Sequence, residues 1–230
     1  MTQDPETKEY VIVMQYANNG SLLSYLDQNI NKLTWMDKLR YLRDIPLYLH
    51  YIHAKGSVHC DIHGGNIVLN EGAALICDLG LSRSVNSRKS DSTIQGVLPF
   101  IAPEVFHTHK FTQKSDVYSF GIIMYLIATG EPPFRDRQFD RGLICDILGG
   151  LRPLMPDSAP EEYKKLAERC CDADPDKRPD TRTLLNDIKE VKKNNDNVWN
   201  TIYHNDVKPL SRLEKESKYS STLLPYQRFT

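Results

Sequence analysis

The segment SDVYSFGIIMYLIATG, residues 115–130, places the strongest constraint on the fold of this chain. As a helix it would be apolar nearly all the way round, and such a helix is stable in water only when other elements cover every side of it. Neither this segment nor the rest of the sequence contains a run of about 18 apolar residues that would indicate a membrane-spanning helix. We therefore predict a globular domain with this helix at its centre.

The composition is typical of a globular protein, since 40% of the 230 residues are hydrophobic and 26% are charged. A formal net charge of -1 gives no overall field that would attract nucleic acid or an anionic membrane. The five cysteines are odd in number and lack CxxC spacing, which favours reduced thiols over disulfides or a zinc site. The acidic, polar first residues do not resemble a secretory signal. We therefore predict a soluble, cytoplasmic protein without nucleic-acid or membrane partners.

Short strands and amphipathic helices are predicted around the central helix. A β-branched and aromatic run at residues 8–17 predicts a strand, and two apolar runs at 66–69 and 74–77 predict a further pair. Thr34 is expected to cap a long helix that Pro46 kinks or interrupts. The remaining predictions are an exposed mobile loop at 82–95, helices near 141–148, 161–171 and 181–192, and a flexible tail at 194–230. The fold class is therefore α+β and mainly α.

The stretch SVHCDIHGGNIVLN, residues 57–70, carries the residues that are best suited to chemistry. His59 and His63 are four residues apart, a spacing that on a helix could present two zinc ligands. Gly64 and Gly65 follow at once and disfavour a helix there, and no nearby glutamate completes a zinc-protease pattern. Turn histidines are therefore favoured over a metal-histidine site.

A second interpretation of this stretch depends on motifs further along the chain. The spacing of His59, Asp61 and Asn66 is followed after twelve residues by the tripeptide DLG at 78–80, and later by APE at 102–104. Each motif alone is weak, but their order and separations together are specific. Over about residues 9–191 the sequence resembles the C-terminal lobe of a eukaryotic protein kinase. The segment VLPFIAPEVF most resembles the tyrosine-kinase-like group.

The resemblance implies a protein-kinase-like fold and a domain organisation. Residues 1–193 would form the kinase domain, with 1–17 as the last N-lobe strands and the hinge, 18–193 as the C-lobe, and 194–230 as the tail. The implied activity is transfer of the γ-phosphate of ATP, with Mg2+, to protein Ser, Thr or Tyr hydroxyl groups. Such a reaction requires in-line positioning and charge neutralisation more than covalent chemistry by the protein.

Three residues match the positions that carry this chemistry in the family. Asp61 would accept the proton of the substrate hydroxyl. Asn66 and Asp78 would bind magnesium, a hard cation that prefers oxygen ligands. Outside the kinase interpretation, Asp61 and Asp78 would be carboxylates of surface turns, and Asn66 would cap a turn.

The resemblance also assigns a nucleotide pocket. Met14 would gate the adenine pocket, the backbone of Gln15 and Ala17 would supply its hydrogen bonds, and Val68 would be its apolar floor. In the alternative, Met14 and Val68 are ordinary core residues.

Three positions depart from the common kinase pattern. His63 stands where many serine/threonine kinases have a lysine near the γ-phosphate, and a histidine is only partly charged at neutral pH. We expect it either to contact phosphate weakly or to be a solvent-facing loop residue. Cys60 replaces an arginine that gathers a loop phosphate, which a thiol cannot do. Leu79 replaces a phenylalanine and is expected to pack in the same pocket.

The resemblance assigns a structural role to three further residues. Glu104 and Arg178 would form a buried ion pair beneath the activation segment. Asp116 would accept hydrogen bonds from the backbone of the catalytic loop.

Two nucleotide-binding features of the family are not found in the 230 residues. None of the twelve glycines forms GxGxxG, and no early lysine has a context that suits the phosphate-binding lysine. We therefore expect weak Mg-ATP binding and impaired catalysis, and an exposed C-lobe surface that a missing N-lobe or a regulatory partner covers. The alternative function is a non-catalytic, pseudokinase-like interaction module. A small-molecule phosphotransferase is disfavoured by IAPEVF and the helical motifs after it, which serve binding of a protein substrate in the kinase family.

Overall fold

Seven α-helices make up most of the part of the chain that the computed structural model describes, residues 2–11, 16–85 and 94–193. The α-helices are α1 Leu22–Asn29, α2 Trp35–Ala54, α3 Pro103–Thr108, α4 Gln113–Thr129, α5 Arg141–Leu148, α6 Glu161–Cys170 and α7 Thr181–Lys193. Single 3-10 turns lie at Ile30–Lys32, Leu98–Phe100 and Pro175–Lys177. The predicted tail at 194–230, most of the predicted loop at 82–95, and Met14 and Gln15 lie outside the described residues.

The predicted central helix is α4. Thirteen of its seventeen residues are buried, because α2 and α6 pack against it and the segment before α3 covers it further. A β-carbon added at Gly121 would lie 2.5 Å from Cys171 Sγ and 2.8 Å from Cys170 Cβ. The glycine therefore lets α4 and the end of α6 approach more closely than any other residue would permit.

Polar caps begin the two longest helices at the positions where the sequence favours them. Thr34 caps α2, and its hydroxyl accepts a hydrogen bond from Asp37 N at 3.3 Å while the Asp37 carboxylate accepts one from Thr34 N at 2.9 Å. Thr112 and Ser115 make the same reciprocal pair at the start of α4. These reciprocal pairs are capping boxes, and they satisfy N–H groups that the first helical turn leaves without partners. The predicted cap at Thr34 is confirmed, and α2 continues through Pro46 as one helix.

Three short antiparallel strand pairs accompany the helices in the described residues. They are β1 Thr2–Gln3 with β2 Tyr10–Val11, β3 Ser57–Val58 with β6 Arg83–Ser84, and β4 Ile67–Asn70 with β5 Ala73–Ile76. In the last pair Ile67 lies opposite Ile76, and the two-residue turn has positive φ at both Glu71 and Gly72. A turn of this hand matches the twist of the two strands. The result is a mainly α protein-kinase-like fold with few, short strands, as predicted.

The predicted site residues Asp61, His63 and Asn66 lie in one loop of this fold. The loop between β3 and β4 follows the end of α2 and lies against the start of α4, and it contains the residues at 59–66. None of the helices in the described residues has both the length and the apolar character that crossing a membrane requires.

Candidate active site

The loop that carries Asp61 is held by hydrogen bonds to Asp116, which lies in the first turn of α4. The two carboxylate oxygens of Asp116 accept hydrogen bonds from His59 N at 2.8 Å and from Cys60 N at 3.0 Å. His53 Nε2, at the end of α2, lies 2.9 Å from Oδ2 of the same carboxylate. Asp116 is 1% exposed, so solvent does not compete for these contacts. The predicted structural role of Asp116 is confirmed.

Cys60 occupies a conformation that the surrounding contacts impose. Its φ of 71° lies in the left-handed region, which costs a residue with a side chain about 1 kcal/mol or more. The bond from its N–H to Asp116 holds the backbone there. Burial raises the pKa of the Cys60 thiol to about 12, so it stays protonated and unreactive at neutral pH.

Asp61, His63 and Asn66 lie together in this loop. Asn66 Nδ2 donates to the Asp61 carbonyl and to Asp61 Oδ2, both at 2.9 Å. His63 Nε2 lies 3.6 Å from the same Oδ2. A β-carbon built on Gly96 would be 3.6 Å from Asp61 Oδ1, so Gly96 lies close to that oxygen. Among the described residues, the donors named here lie at Oδ2, while Oδ1 lies near Gly96.

His59 connects this loop to the strand end that carries Asp78. Its Nδ1 accepts from Asp61 N at 3.3 Å, so the ring proton is on Nε2, which lies 3.3 Å from the Cys77 carbonyl and donates to it. The ring is fully buried, and this burial lowers the pKa of His59, although the nearby Asp116 carboxylate opposes the shift. The geometry requires a neutral imidazole at this position.

The stability of the fold is expected to fall in mild acid because of His59. Its folded-state pKa is below the unfolded value of about 6.5, so the unfolded chain binds the proton first as the pH falls. The contribution is complete above pH about 6.5 and is lost below it, by at most about 1.4 kcal/mol per pH unit. Urea unfolding at pH 7.5 and 5.5 should show a smaller loss in His59→Gln than in the unmodified chain. Equal losses in the two proteins would contradict this assignment.

Asp78 lies just after the end of β5. Cys77 N donates to the Asn66 carbonyl at 2.9 Å, which fixes the strand end beside the loop. Asp78 is exposed with a φ of 58°, and its Oδ1 accepts from Gly80 N at 3.0 Å. The neighbouring Leu79 is 59% exposed. The prediction that Leu79 fills a pocket is therefore wrong for this structure, because the described residues leave most of its side chain uncovered.

The two described residues of the predicted adenine pocket lie on adjoining segments. Ala17 and Val68 are both half-buried. The backbone after Ala17 runs beside β4, where Asn19 N donates to the Leu69 carbonyl at 3.1 Å and Ser21 bridges to Val68. The Ala17 carbonyl accepts from Gly20 N at 3.2 Å. Contact with adenine stays a prediction for these residues.

Glu104 and Arg178 form the predicted buried ion pair. Both terminal nitrogens of Arg178 donate to Glu104, at 2.7 Å each, in a two-point contact. The guanidinium also donates to the carbonyls of Asp172 at 2.8 Å and Lys114 at 3.0 Å, and it stacks 5.2 Å from the centre of the Tyr118 ring. The Arg178 side chain is fully buried, yet each of its nitrogens has a partner.

Sequence reasoning missed three residues that shape the site. His53 is separated from Asp116 by 63 residues. In the sequence it cannot be distinguished from any other residue on the buried face of α2. Gly65 and Gly96 act through the absence of a side chain, next to His63 and Asp61 respectively. The glycine pair directly after His63 was the only available signal, and it was interpreted as a turn.

Asn66 and Asp78 offer oxygen atoms of the kind that a magnesium ion prefers. The Asp78 carboxylate is exposed, and the two bonds made by Asn66 Nδ2 leave the amide oxygen Oδ1 as a ligand atom. The described residues hold no cluster of three or more His, Cys, Asp or Glu side chains around one point. Two protein oxygens are nevertheless typical of magnesium, which completes its shell with water and substrate phosphates.

The sequence is similar to those of known protein kinases. A family model described as protein tyrosine and serine/threonine kinase matches residues 2–188. A serine/threonine-protein kinase/receptor of Acanthamoeba polyphaga mimivirus is 34% identical over 171 residues, 73% of this chain and 10% of that protein. The serine/threonine-protein kinase roco8 of Dictyostelium discoideum is 34% identical over 197 residues, 80% of this chain and 10% of that protein. Mitogen-activated protein kinase kinase kinase 17 of Arabidopsis thaliana is 33% identical over 182 residues, 77% of this chain and 49% of that protein.

The chain spans between about a tenth and a half of the length of these relatives. The match to the family model extends over most of the chain and includes the loop that holds Asp61 and Asn66. By this match, and by the resemblance to named kinases, the chain belongs to the eukaryotic protein kinase family.

Proposed function

We propose that this chain contributes the part of a serine/threonine protein kinase site that binds the hydroxyl group of the protein substrate. Asp61 accepts the proton of that hydroxyl. The observation that carries the proposal is the pair of 2.9 Å bonds from Asn66 to the backbone and carboxylate of Asp61. These bonds fix the carboxylate beside Gly96, and Oδ1 is the oxygen that we assign to the substrate hydroxyl. A general base must lie within hydrogen-bond reach of the proton that it removes.

The chemistry assigned to this site is a balanced transfer. The hydroxyl oxygen of the acceptor forms a bond to the γ-phosphorus of ATP as the bond to the bridging oxygen of ADP breaks, and the hydroxyl proton moves to Asp61 Oδ1. Bound Mg2+ and ATP would supply the transferable phosphoryl group and neutralise its charge. Asn66 Oδ1 and the Asp78 carboxylate are the protein ligands that we assign to the metal. Ala17 and Val68, with Met14 and Gln15, are the residues that we assign to the adenine ring.

Serine and threonine are the proposed acceptors. The relatives named above carry the description serine/threonine-protein kinase or that of a mitogen-activated kinase kinase kinase. The segment VLPFIAPEVF supports membership of the tyrosine-kinase-like group. We propose a cytoplasmic protein substrate and, on the exposed side of Asp78 and Leu79, a covering N-lobe or regulatory partner.

A non-catalytic interaction module is the second candidate. It is favoured by the lack of a GxGxxG sequence in these 230 residues and by the 59% exposure of Leu79 beside the proposed metal ligand. The phosphate-binding lysine of the family, which is also not found in these 230 residues, is an electrostatic stabiliser of the transition state. Loss of one such group lowers a rate by roughly 10² to 10³. Weak transfer by this chain is therefore the expected result, and binding without transfer is what the second candidate predicts.

Asp61→Asn is expected to lower the rate of phosphoryl transfer from ATP to casein by roughly 10² to 10⁴, because an amide cannot accept the proton. Asp61→Asn keeps the shape of the side chain, so Mg-ATP binding should be unchanged. Asp157→Asn, at an exposed position, is the matched control and should keep the full rate. The measurement is initial-rate transfer of labelled phosphate at matched nucleotide occupancy.

The outcomes separate the two candidates. Transfer that depends on Asp61 supports the kinase, whereas equal transfer by Asp61→Asn would overturn the assigned base. Absence of transfer by the unmodified chain, with Mg-ATP binding that Asp78→Asn does not weaken, would favour the interaction module.

A further inference from the structure

The His63 ring contacts three neighbours in the site. Gly65 N donates to His63 Nδ1 at 3.0 Å, and His63 Nε2 lies 3.6 Å from Asp61 Oδ2. The Phe100 ring packs on the remaining side, with centroids 6.1 Å apart. The position of the imidazole is therefore fixed although its edge is partly exposed.

The bond from Gly65 decides which nitrogen carries the ring proton. A neutral imidazole has one nitrogen that donates and one that accepts. Because Nδ1 accepts from the backbone N–H of Gly65, the proton is on Nε2. The N–H of Nε2 therefore faces the Asp61 carboxylate, and the contact needs no positive charge on the ring.

Gly65 is also the residue that makes room for this ring. A β-carbon at position 65 would lie 2.8 Å from His63 Cε1 and 3.0 Å from His63 Nδ1. Any larger residue would displace the imidazole from this position. The neighbouring Gly64 has a different role, since a β-carbon there would meet Leu126 Cδ2 at 2.5 Å and Leu23 Cβ at 3.2 Å.

Among the described residues, the side-chain donors named for the Asp61 carboxylate are on one oxygen. Oδ2 receives the Asn66 bond at 2.9 Å and has His63 Nε2 at 3.6 Å, while Oδ1 lies beside Gly96. At 3.6 Å the histidine contact is longer than a direct hydrogen bond. Catalytic hydrogen bonds are often long without substrate and tighten when it binds.

We propose that His63 is a positioning residue, locked by Gly65 as the Nε2–H tautomer, that holds Oδ2 of Asp61 and so directs Oδ1 towards the substrate hydroxyl. This inference rests on the proposed function, because it assumes that Asp61 is the base. It differs from the predicted contact of His63 with phosphate, since its target is the carboxylate. A neutral donor suffices for it, whereas phosphate is better served by a lysine.

Kinetics of variants of the full chain test this role. His63→Ala should lower kcat by roughly ten- to a hundredfold and leave the KM for ATP unchanged, because a donor to a charged group is lost. His63→Gln keeps a neutral donor and should stay within about threefold of the unmodified chain. Gly65→Ala should reproduce the loss, and adding it to His63→Ala should cause no further loss, since the two act through one contact. A raised KM for ATP that His63→Lys restores would overturn the proposal in favour of the phosphate contact.

A structural measurement keeps the test independent of catalysis. In the 15N-histidine NMR spectrum of the full chain, the His63 signals, identified by their loss in His63→Gln, should show a protonated Nε2 and an unprotonated Nδ1. Gly65→Ala should shift them, and His63→Ala should shift the side-chain amide signals of Asn66, which is bonded to Asp61. His107→Gln, on the exposed face of α3, should leave both unchanged.

A protonated Nδ1, or an unchanged Asn66 signal in His63→Ala, would overturn the positioning role whether or not the chain transfers phosphate. Normal transfer by Asp61→Asn would instead remove the proposed function and leave these signals as expected.

Discussion

Replacement of Arg178 by alanine is expected to lower the free energy of unfolding by about 3–5 kcal/mol. The change leaves the Glu104 carboxylate without its two 2.7 Å partners and removes the donors from the carbonyls of Asp172 and Lys114. A buried charge without a partner is more costly than the pair was favourable, because water cannot replace the lost donors. The measurement is urea unfolding followed by circular dichroism at pH 7.5.

Arg169 provides a matched control for this experiment. It also makes an arginine–carboxylate contact, at 2.8 Å to Asp187, but half of its side chain is exposed. Arg169→Ala should therefore cost no more than about 1 kcal/mol. If the two arginine variants lost the same stability, burial would not be what makes the Glu104–Arg178 pair important. If Arg178→Ala does not fold, Glu104→Gln, which keeps the size of the side chain, provides the smaller loss to be measured.

Asp116→Asn is expected to lower the stability by about 2–4 kcal/mol and to reduce any phosphoryl transfer strongly. The carboxylate accepts from two backbone N–H groups, of His59 and Cys60, and an amide offers an N–H to one of them. A buried donor is then left facing another donor. Cys60 is released from its left-handed conformation as a consequence, and the Asp61 carboxylate next to it is displaced.

Hydrogen exchange locates this effect within the chain. The amides of His59 and Cys60 should exchange much faster in Asp116→Asn, whereas amides in α6 should be affected less. Asp140→Asn is the control, because Asp140 accepts from Leu143 N at 3.0 Å as the cap of α5, and asparagine caps a helix equally well. Uniform acceleration in all helices would show global destabilisation in place of local release of the loop.

The helices of this fold could largely be predicted from sequence. The apolar segment that became α4 is long and nearly uniform, so burial was its only stable outcome. α2 begins directly after Thr34, because the Thr34 hydroxyl satisfies a backbone donor that the helix leaves without a partner. Pro46 was harder to interpret, because α2 continues through a residue that cannot donate a backbone bond.

The motif residues of the site were also predictable, but their surroundings were not. The spacing from Asp61 to Asn66 is local, and the structure joins the two through a bond across five residues. Contacts of His53 and Gly96 depend on tertiary packing, and a single sequence carries no record of distances across the fold. Leu79 was assigned by analogy to a packed phenylalanine, and its exposure depends on which elements lie above it.

The anchoring of the catalytic loop from α4 determines the order in which the site can form on the ribosome. His59 precedes its anchor Asp116 by 57 residues, so at about 5–20 residues per second the loop waits roughly 3–11 s before the carboxylate is synthesised. The Glu104–Arg178 contact closes later still, across 74 residues. During translation the loop therefore emerges with the sequence of an active site but without its shape, which it acquires only when the central helix leaves the exit tunnel.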